Sequence, residues 1–321
     1  MAKPPLMLYD YLVINACKSL AKMPKRAGRL FSLVISLVIA GFGLLLTPPV
    51  SAVEIAIIDI DDSSIERLGR WPWPREIHGK LIEKLSLHNP SAIVFDILFS
   101  EPDKRDPGSD RKFLRSITPK PPVYLASVFH LHGSPFSRSI KNTESLQRFS
   151  LGSLPEGGVD IREAEGGLFP FGKLGLAAGG IGFTNVFADD RGQVTGFPMI
   201  MAFKEKLYPS LPLVVAADYL GIPLNKIAAE PGNFLQLGKK KFPLSSAGEL
   251  RLNFPKPFTR FKHYSYIQVL ENKAPPPAFK NAVVIIGYFA TGLADHKVTP
   301  VSPYHPGSEL IATAIQTLTE R

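Results

Sequence analysis

From Leu30 to Val53 the chain carries no charged residue. That run therefore supplies the roughly 20 uncharged residues that span a bilayer's hydrocarbon at about 1.5 Å rise each, and its stretch LFSLVISLVIAGFGLLL predicts a transmembrane helix over residues 30–46. Beyond it the period of the pattern changes. VEIAIIDI (53–60) is a β-branched apolar run closing in acids, the signature of a strand buried on both faces of a parallel sheet. SSIERLG predicts a short helix. Ile77, Leu81, Ile82 and Leu85 then recur at helical spacing until Asn89-Pro90 stops them, and SAIVFDILF (91–99) supplies a second buried strand.

A helix over 110–117 and a strand over 122–128 continue the alternation. Residues 129–170 break it with Gly, Pro, Ser and mixed charge, and predict a mobile surface excursion. Order returns at GGIGFTNVF and VTGFPMIMAF, where ADDRGQ between them has hairpin-turn chemistry. A helix over 210–220, short strands near 234–237 and 250–254, a strand at AVVIIG (282–287) and a helix over 308–318 complete the pattern. The fold class is α/β: a mixed, largely parallel sheet with flanking helices and an antiparallel hairpin, preceded by one transmembrane helix.

Charge orients this arrangement. The formal net charge is +9, but residues 1–29 hold Lys3, Lys18, Lys22, Lys25, Arg26 and Arg29 against the single acid Asp10. An excess of cations on one flank of a membrane helix marks the cytoplasmic side. The expected division is thus a basic cytoplasmic segment (1–29), a span in contact with the lipid bilayer (30–46) and an exported domain (53–318) on the inner membrane's outer face. Val50-Ser51-Ala52 also has the small-residue spacing of a signal-peptide cleavage site, but the long N-terminal segment favours an anchor. With the basic flank set aside, no cationic stripe interleaved with aromatics remains, which argues against nucleic acid as a partner. The lone cysteine, Cys17, falls on the cytoplasmic side.

Several stretches invite chemistry. DIDDSS resembles the first motif of haloacid-dehalogenase-like phosphotransferases, with Asp59 as nucleophile, Asp61 as general acid and Mg²⁺ holding the phosphoryl group. The simpler reading is structural: Asp62 or Ser63 caps the helix SSIERLG, and Asp59 and Asp61 solvate the strand end or hydrogen-bond nearby backbone. GYFATGLADHK has the glycine spacing of a phosphate loop, yet Leu293 and Ala294 stand where lysine and a hydroxyl residue belong. His130 and His132 lack the further ligands of a metal site. The expectation is therefore no catalytic residue, no metal and no cofactor. In LGRWPWPRE, Pro72 and Pro74 hold the chain extended, so Trp71 and Trp73 project on opposite sides, one into the core and one to a rim.

The blocks IAIIDIDDSSIERLGRWPWPRE, IVFDILFSEPD, GFTNVFADDRGQV, AVVIIGYFATGLADHKVTP and PGSELIATAIQTL occur in this order after a membrane helix. Together they resemble the CHASE2 extracellular sensory domain of bacterial receptors. The resemblance implies a non-enzymatic, membrane-anchored sensor that binds a small molecule or partner protein, signals across the membrane and works as a dimer. It also implies output domains that the chain to Arg321 does not hold, which keeps open a nonfunctional remnant of a longer receptor. Ile311 stands where the family usually has histidine.

In open α/β sheets the ligand crevice lies beyond the carboxyl ends of parallel strands. If the strands at 53–60, 91–99 and 282–287 are parallel neighbours, their ends gather Asp59, Asp61, Asp96, Glu101, Thr291 and Asp295, with Trp71 as a wall. Such an acidic crevice would favour a cationic or hydroxyl-rich ligand. The structural alternative is that these acids cap helices and pair with Arg70, Arg75 and Lys297.

Overall fold

Apolar runs with no polar face can be buried only from both sides, and the structure treats them so. The computed structural model describes residues 53–133, 143–153, 161–230, 232, 234–254, 261–293 and 296–320. The chain divides at Ser51/Ala52, and all the described residues belong to the second unit. The span expected at 30–46 lies outside the described residues, among which no helix is long and apolar enough to cross a membrane.

The strands, in order, are β1 (Ile55–Ile60), β2 (Ala92–Phe95), β3 (Val123–Leu131), β4 (Gly152–Ser153), β5 (Glu163–Leu168), β6 (Gly180–Phe183), β7 (Gly196–Pro198), β8 (Ile200–Phe203), β9 (Lys206–Pro209), β10 (Ala228–Glu230), β11 (Phe234–Leu237), β12 (Lys240–Pro243), β13 (Glu249–Arg251), β14 (Lys262–Ser265), β15 (Val283–Tyr288), β16 (His296–Lys297) and β17 (His305–Pro306). The helices are α1 (Asp62–Leu68), α2 (Arg75–Ser86), α3 (Pro107–Ser116), α4 (Thr143–Leu146), α5 (Gly172–Ala177), α6 (Leu211–Tyr219), α7 (Tyr266–Leu270) and α8 (Gly307–Thr319).

The main sheet runs β14-β1-β15-β2-β3 in parallel, with β6 parallel to the first half of β3. The last long strand, β15, is thus inserted between the first two. Alternation along each strand then sorts side chains between two cores. Ala56, Ile58, Ile60, Ile93, Phe95, Val284 and Ile286 face α2, α3 and α7, whereas Ile55, Ile57, Val94, Val283 and Ile285 face α6 and α8. A fully buried isoleucine or leucine contributes about 1.5–3 kcal/mol, so the two-sided strands are a major source of cohesion. Because six of the nine residues of α6 are buried apolar side chains, it shows no polar face.

From Val128 onward the sheet changes character. The second half of β3 pairs antiparallel with β5, and β8, β9 and β4 extend the sheet beyond it. The described residues of 129–170 include β3's end, α4, β4 and β5, and residues 134–142 and 154–160 of the expected excursion lie outside the described residues. The turn expected at ADDRGQ forms, with Asp189 Oδ1 accepting from the amides of Arg191 and Gln193. The hairpin does not: β6 pairs with β3 and β7 with β13. Antiparallel hairpins lie instead at β8–β9, turning through Lys204 and Glu205 at positive φ, and at β11–β12.

Candidate functional site

The crevice at the carboxyl ends of the parallel strands is organised around one imidazole. β14 lies beside β1 in a register that puts Ile57 opposite His263 and Asp59 opposite Ser265. His263 Nδ1 lies 2.8 Å from Asp59 Oδ2, and its Nε2 lies 3.2 Å from Glu309 Oε1 in the first turn of α8. Glu309 Oε2 is 3.8 Å from Nε2 of His305, whose Nδ1 is 3.2 Å from Thr299 Oγ1. Burial pulls the His263 imidazole down, but hydrogen bonds to Asp59 and Glu309 outweigh it and carry the ring up to about 9. His263 is thus a cation between two carboxylates, with both N–H groups donating. At His305 burial outweighs the opposing pull of Glu309, so its ring is pushed below the ordinary histidine value and stays neutral. Burial likewise raises the carboxyl of Asp59, against the pull of His263.

The neighbouring acids are engaged locally. Asp61 is the N-cap of α1: its Oδ1 accepts from Ser64 N at 3.0 Å and from Ser265 Oγ at 3.0 Å, and its Oδ2 from Ser63 Oγ at 2.8 Å. Burial opposes ionisation there, but these donors hold its carboxyl below the usual range. Asp62 accepts from the Thr291 amide at 2.9 Å and hydroxyl at 3.0 Å, pinning the loop after β15 to α1. Glu101 is exposed and 3.9 Å from Lys104. Asp295 lies outside the described residues. His132 pairs with Glu165, and among the described residues no group of acids and histidines forms a metal cluster.

The WPWP segment forms a clamp rather than two opposed anchors. Trp73 is 1 % exposed and donates its indole N–H to Gly69 O at 2.8 Å. Trp71 is half-buried and meets Trp73 edge-on, with ring centroids 5.0 Å apart. It also meets His78 at 5.6 Å and Tyr288 at 5.4 Å. Both indoles therefore face the same aromatic cluster, which includes Phe95, Phe99, Phe113 and Tyr266 around His78. His78 Nδ1 is 2.8 Å from the Tyr266 hydroxyl. Burial in this cage drives its pKa down to about 3, and nearby Arg75 adds to the effect.

A cavity of about 210 Å³ opens between the ends of β2, β3, β6 and β15 and the start of α8. Asp96, Thr184, Tyr288, Lys297 and Ser308 give it polar lining, and Leu98, Val128, Val186, Phe197, Leu310 and Ile311 an apolar wall. The helix can approach this closely because of Gly287, where an added Cβ would stand 2.6 Å from that of Ser308. Burial and the charge of Asp96 raise the Tyr288 phenol well above its ordinary value, so it remains a neutral hydroxyl. Ile311 falls on the apolar wall.

The structure thus brings Asp59 and Asp61 to adjacent positions at one strand end, sets Asp96 in the cavity and Trp71 beside its Tyr288, and binds Thr291 to Asp62. Sequence reasoning missed His263, Glu309, His305 and Ser308. KHYS is a short polar edge strand, and Glu309 reads as an ordinary first-turn acid, so neither advertises that the topology joins them across β1.

The family model of the CHASE2 domain matches residues 28–321. The chain belongs to this family, a family of sensory domains that are generally extracellular. No curated protein and no solved structure matches the chain.

Proposed function

We propose that residues 53–318 are the extracytoplasmic sensory domain of a membrane-anchored bacterial receptor protein. The segment 30–46 holds it to the inner membrane with residues 1–29 inside. A small molecule is read in the crevice at the carboxyl ends of the parallel strands, and its occupancy is passed on through α8. The cavity beside α8 carries this reading. It lies where such sheets bind ligands, and one of its walls is a helix tied to the sheet through the Glu309–His263 pair. Phosphotransferase chemistry at Asp59 is disfavoured, because that carboxylate is 7 % exposed and already pairs with His263.

Two measurements test the proposal. A phosphatase reporter fused after residue 320 should be active and one fused before Leu30 silent; the reverse pattern sinks the topology. Mg²⁺-dependent hydrolysis of a phosphoester that disappears in Asp59→Asn would overturn the non-enzymatic reading.

A further inference from the structure

The two ends of the parallel sheet differ in charge. The carboxyl end gathers Asp59, Asp61, Asp62, Asp96, Glu101 and Glu309. At the amino end, where helices finish and strands begin, backbone bonds set the segments side by side: Val283 N donates to Glu54 O, Asn281 N to Asn89 O, and Ile93 N to Pro122 O. Lys280 precedes Asn281 and Lys120 precedes Pro121-Pro122, so both exposed lysines stand on this edge. α2 ends there with Leu87, 76 % exposed. α6 ends there too, since Asp218 accepts from the hydroxyl of Tyr124 at the start of β3, and the chain leaving it bears exposed Leu220 and Lys226. The β11–β12 turn joins them: a Cβ added at Gly238 would stand 3.0 Å from Ile222, and Lys240 donates to Glu320 O just past α8. Exposed Lys239 and Lys241 flank that bond. The acids of the edge, Glu54, Glu83, Asp218 and Glu320, are fewer than its lysines, and Lys120, Lys226, Lys239 and Lys280 form no ion pair with a described residue.

Chain length and charge choose the occupant. The proposed span ends at Leu46, and even fully extended the chain from there to Val53 reaches no more than about 25 Å. A bilayer is therefore always near the amino end of β1. Each lysine close to an anionic leaflet adds about fivefold to affinity, within a Debye length of about 8 Å at physiological ionic strength, and exposed leucines can enter the headgroup boundary. We propose that the amino end of the sheet is a lipid-docking face. Lys120, Lys239, Lys241 and Lys280 lie on the phosphates of an anionic phospholipid leaflet, and Leu87 and Leu220 enter its headgroup boundary. Docked in this way, the acidic crevice at the carboxyl end is turned away from lipid and left open to its ligand. α8 then joins the two, because it starts beside Gly287 at the crevice and finishes 13 residues later next to Lys240.

This face rests on the proposed membrane anchor, and the two are scored apart. Alkaline carbonate extraction reads the anchor, and release of the full chain from membranes would sink it. The face is read on the full chain reconstituted into vesicles of phosphatidylcholine, alone or with a third phosphatidylglycerol, doped with a nitroxide-headgroup lipid. In a Cys17→Ser background, a fluorophore on Leu87→Cys should be quenched several-fold more with phosphatidylglycerol than without it. The gain should vanish in about 1 M NaCl, where the Debye length is about 3 Å, and in the triple variant Lys120→Glu, Lys239→Glu, Lys280→Glu. A fluorophore on Glu101→Cys, exposed at the opposite end, should stay unquenched in both vesicles. All three lysines are exposed, so the triple variant should keep the parent's Tm; if it does not fold, the salt dependence of the parent still scores the face. Quenching at Leu87→Cys that ignores phosphatidylglycerol and salt, or equal quenching at Glu101→Cys, would overturn the lipid face. Leu87→Cys chains that cross-link to each other regardless of lipid, without quenching, would assign the edge to a second copy instead. A chain released by carbonate yet quenched at Leu87→Cys by added phosphatidylglycerol vesicles would lose the anchor and keep the face.

Discussion

His78 in α2 is fully buried and His263 in β14 keeps part of its surface in water, and they end in different charge states. His78 is fully buried among aromatic rings, its Nδ1 answered by the Tyr266 hydroxyl, and burial holds it neutral down to about 3. His263 gives up part of its hydration too, but Asp59 and Glu309 bracket its ring and keep it charged up to about 9. Desolvation acts on both; the difference is what the chain puts within hydrogen-bond distance. One region is therefore a packed clamp and the other an electrostatic latch between β1, β14 and α8.

Truncating the clamp should have the largest effect. Trp73→Ala removes a buried indole and its bond to Gly69 O, with an expected loss of about 3–5 kcal/mol in denaturant unfolding. Trp71→Ala, on the half-buried partner, should lose less than half of that. Equal losses would mean that Trp71 is as much core as Trp73.

Next in size is the polar pair inside the clamp. His78→Phe leaves the Tyr266 hydroxyl buried without its partner, which should cost about 1–3 kcal/mol. Adding Tyr266→Phe should recover most of the loss in a double-mutant cycle. A second change that merely adds its own loss would show that the hydrogen bond is not what couples them.

Protonation gives the two regions opposite pH limbs. A histidine depressed from 6.5 to about 3 favours the folded state above 6.5, and that advantage is lost as pH falls from 6.5 towards 3. A histidine raised from 6.5 to about 9 favours folding below 6.5, and the advantage is lost as pH rises through 9. His78 can contribute a slope of at most roughly 1.4 kcal/mol per pH unit. His263, whose side chain is 29 % exposed, should give about half of that after solvent screening. His78→Phe should flatten the acid limb relative to the parent, and His263→Gln the alkaline limb. An alkaline limb unchanged in His263→Gln would dissolve the latch.

The legibility of these regions in sequence depends on the range of the interactions that build them. VEIAIIDI and AVVIIG announce buried strands because every residue in them needs the same environment. A cap is announced in DIDDSS because the interaction is local, but it falls on Asp61, whose partner Ser64 is three residues away, rather than on the Asp62 or Ser63 that the sequence suggested, since the helix starts at Asp62 itself. The latch is silent: Asp59 meets His263 across 204 residues, and only the insertion of β15 beside β1, with β14 on β1's other edge, places Glu309 within reach. β5 is equally quiet, since EAEGGL has no β-branched or aromatic residue, and it is held as a strand by pairing with β3 and β8. The clamp is half legible, as two indoles in a rigid segment, but their convergence on His78 belongs to the tertiary fold.

The smallest expected effect lies at Asp61, between the two regions, and it separates charge from capping. Its carboxylate is held below the usual range by hydroxyl and amide donors, not by a cation. Asp61→Asn keeps an acceptor for Ser64 N and stands as high as aspartate among N-cap residues, so the change in stability at neutral pH should be about a few tenths of a kcal/mol. Asp61→Ala loses the cap and releases Ser265, and should cost about 1 kcal/mol. The donors also set a pH signature: a depressed carboxyl stabilises above its unfolded value and loses that contribution as pH falls through the folded one. Asp61→Asn should therefore shed part of the acid limb below about pH 4 while leaving the alkaline limb of His263 unchanged. If Asp61→Asn instead costs as much as Asp61→Ala and shifts the alkaline limb, the negative charge of Asp61 is part of the latch, and the boundary between cap and latch must be redrawn to include it.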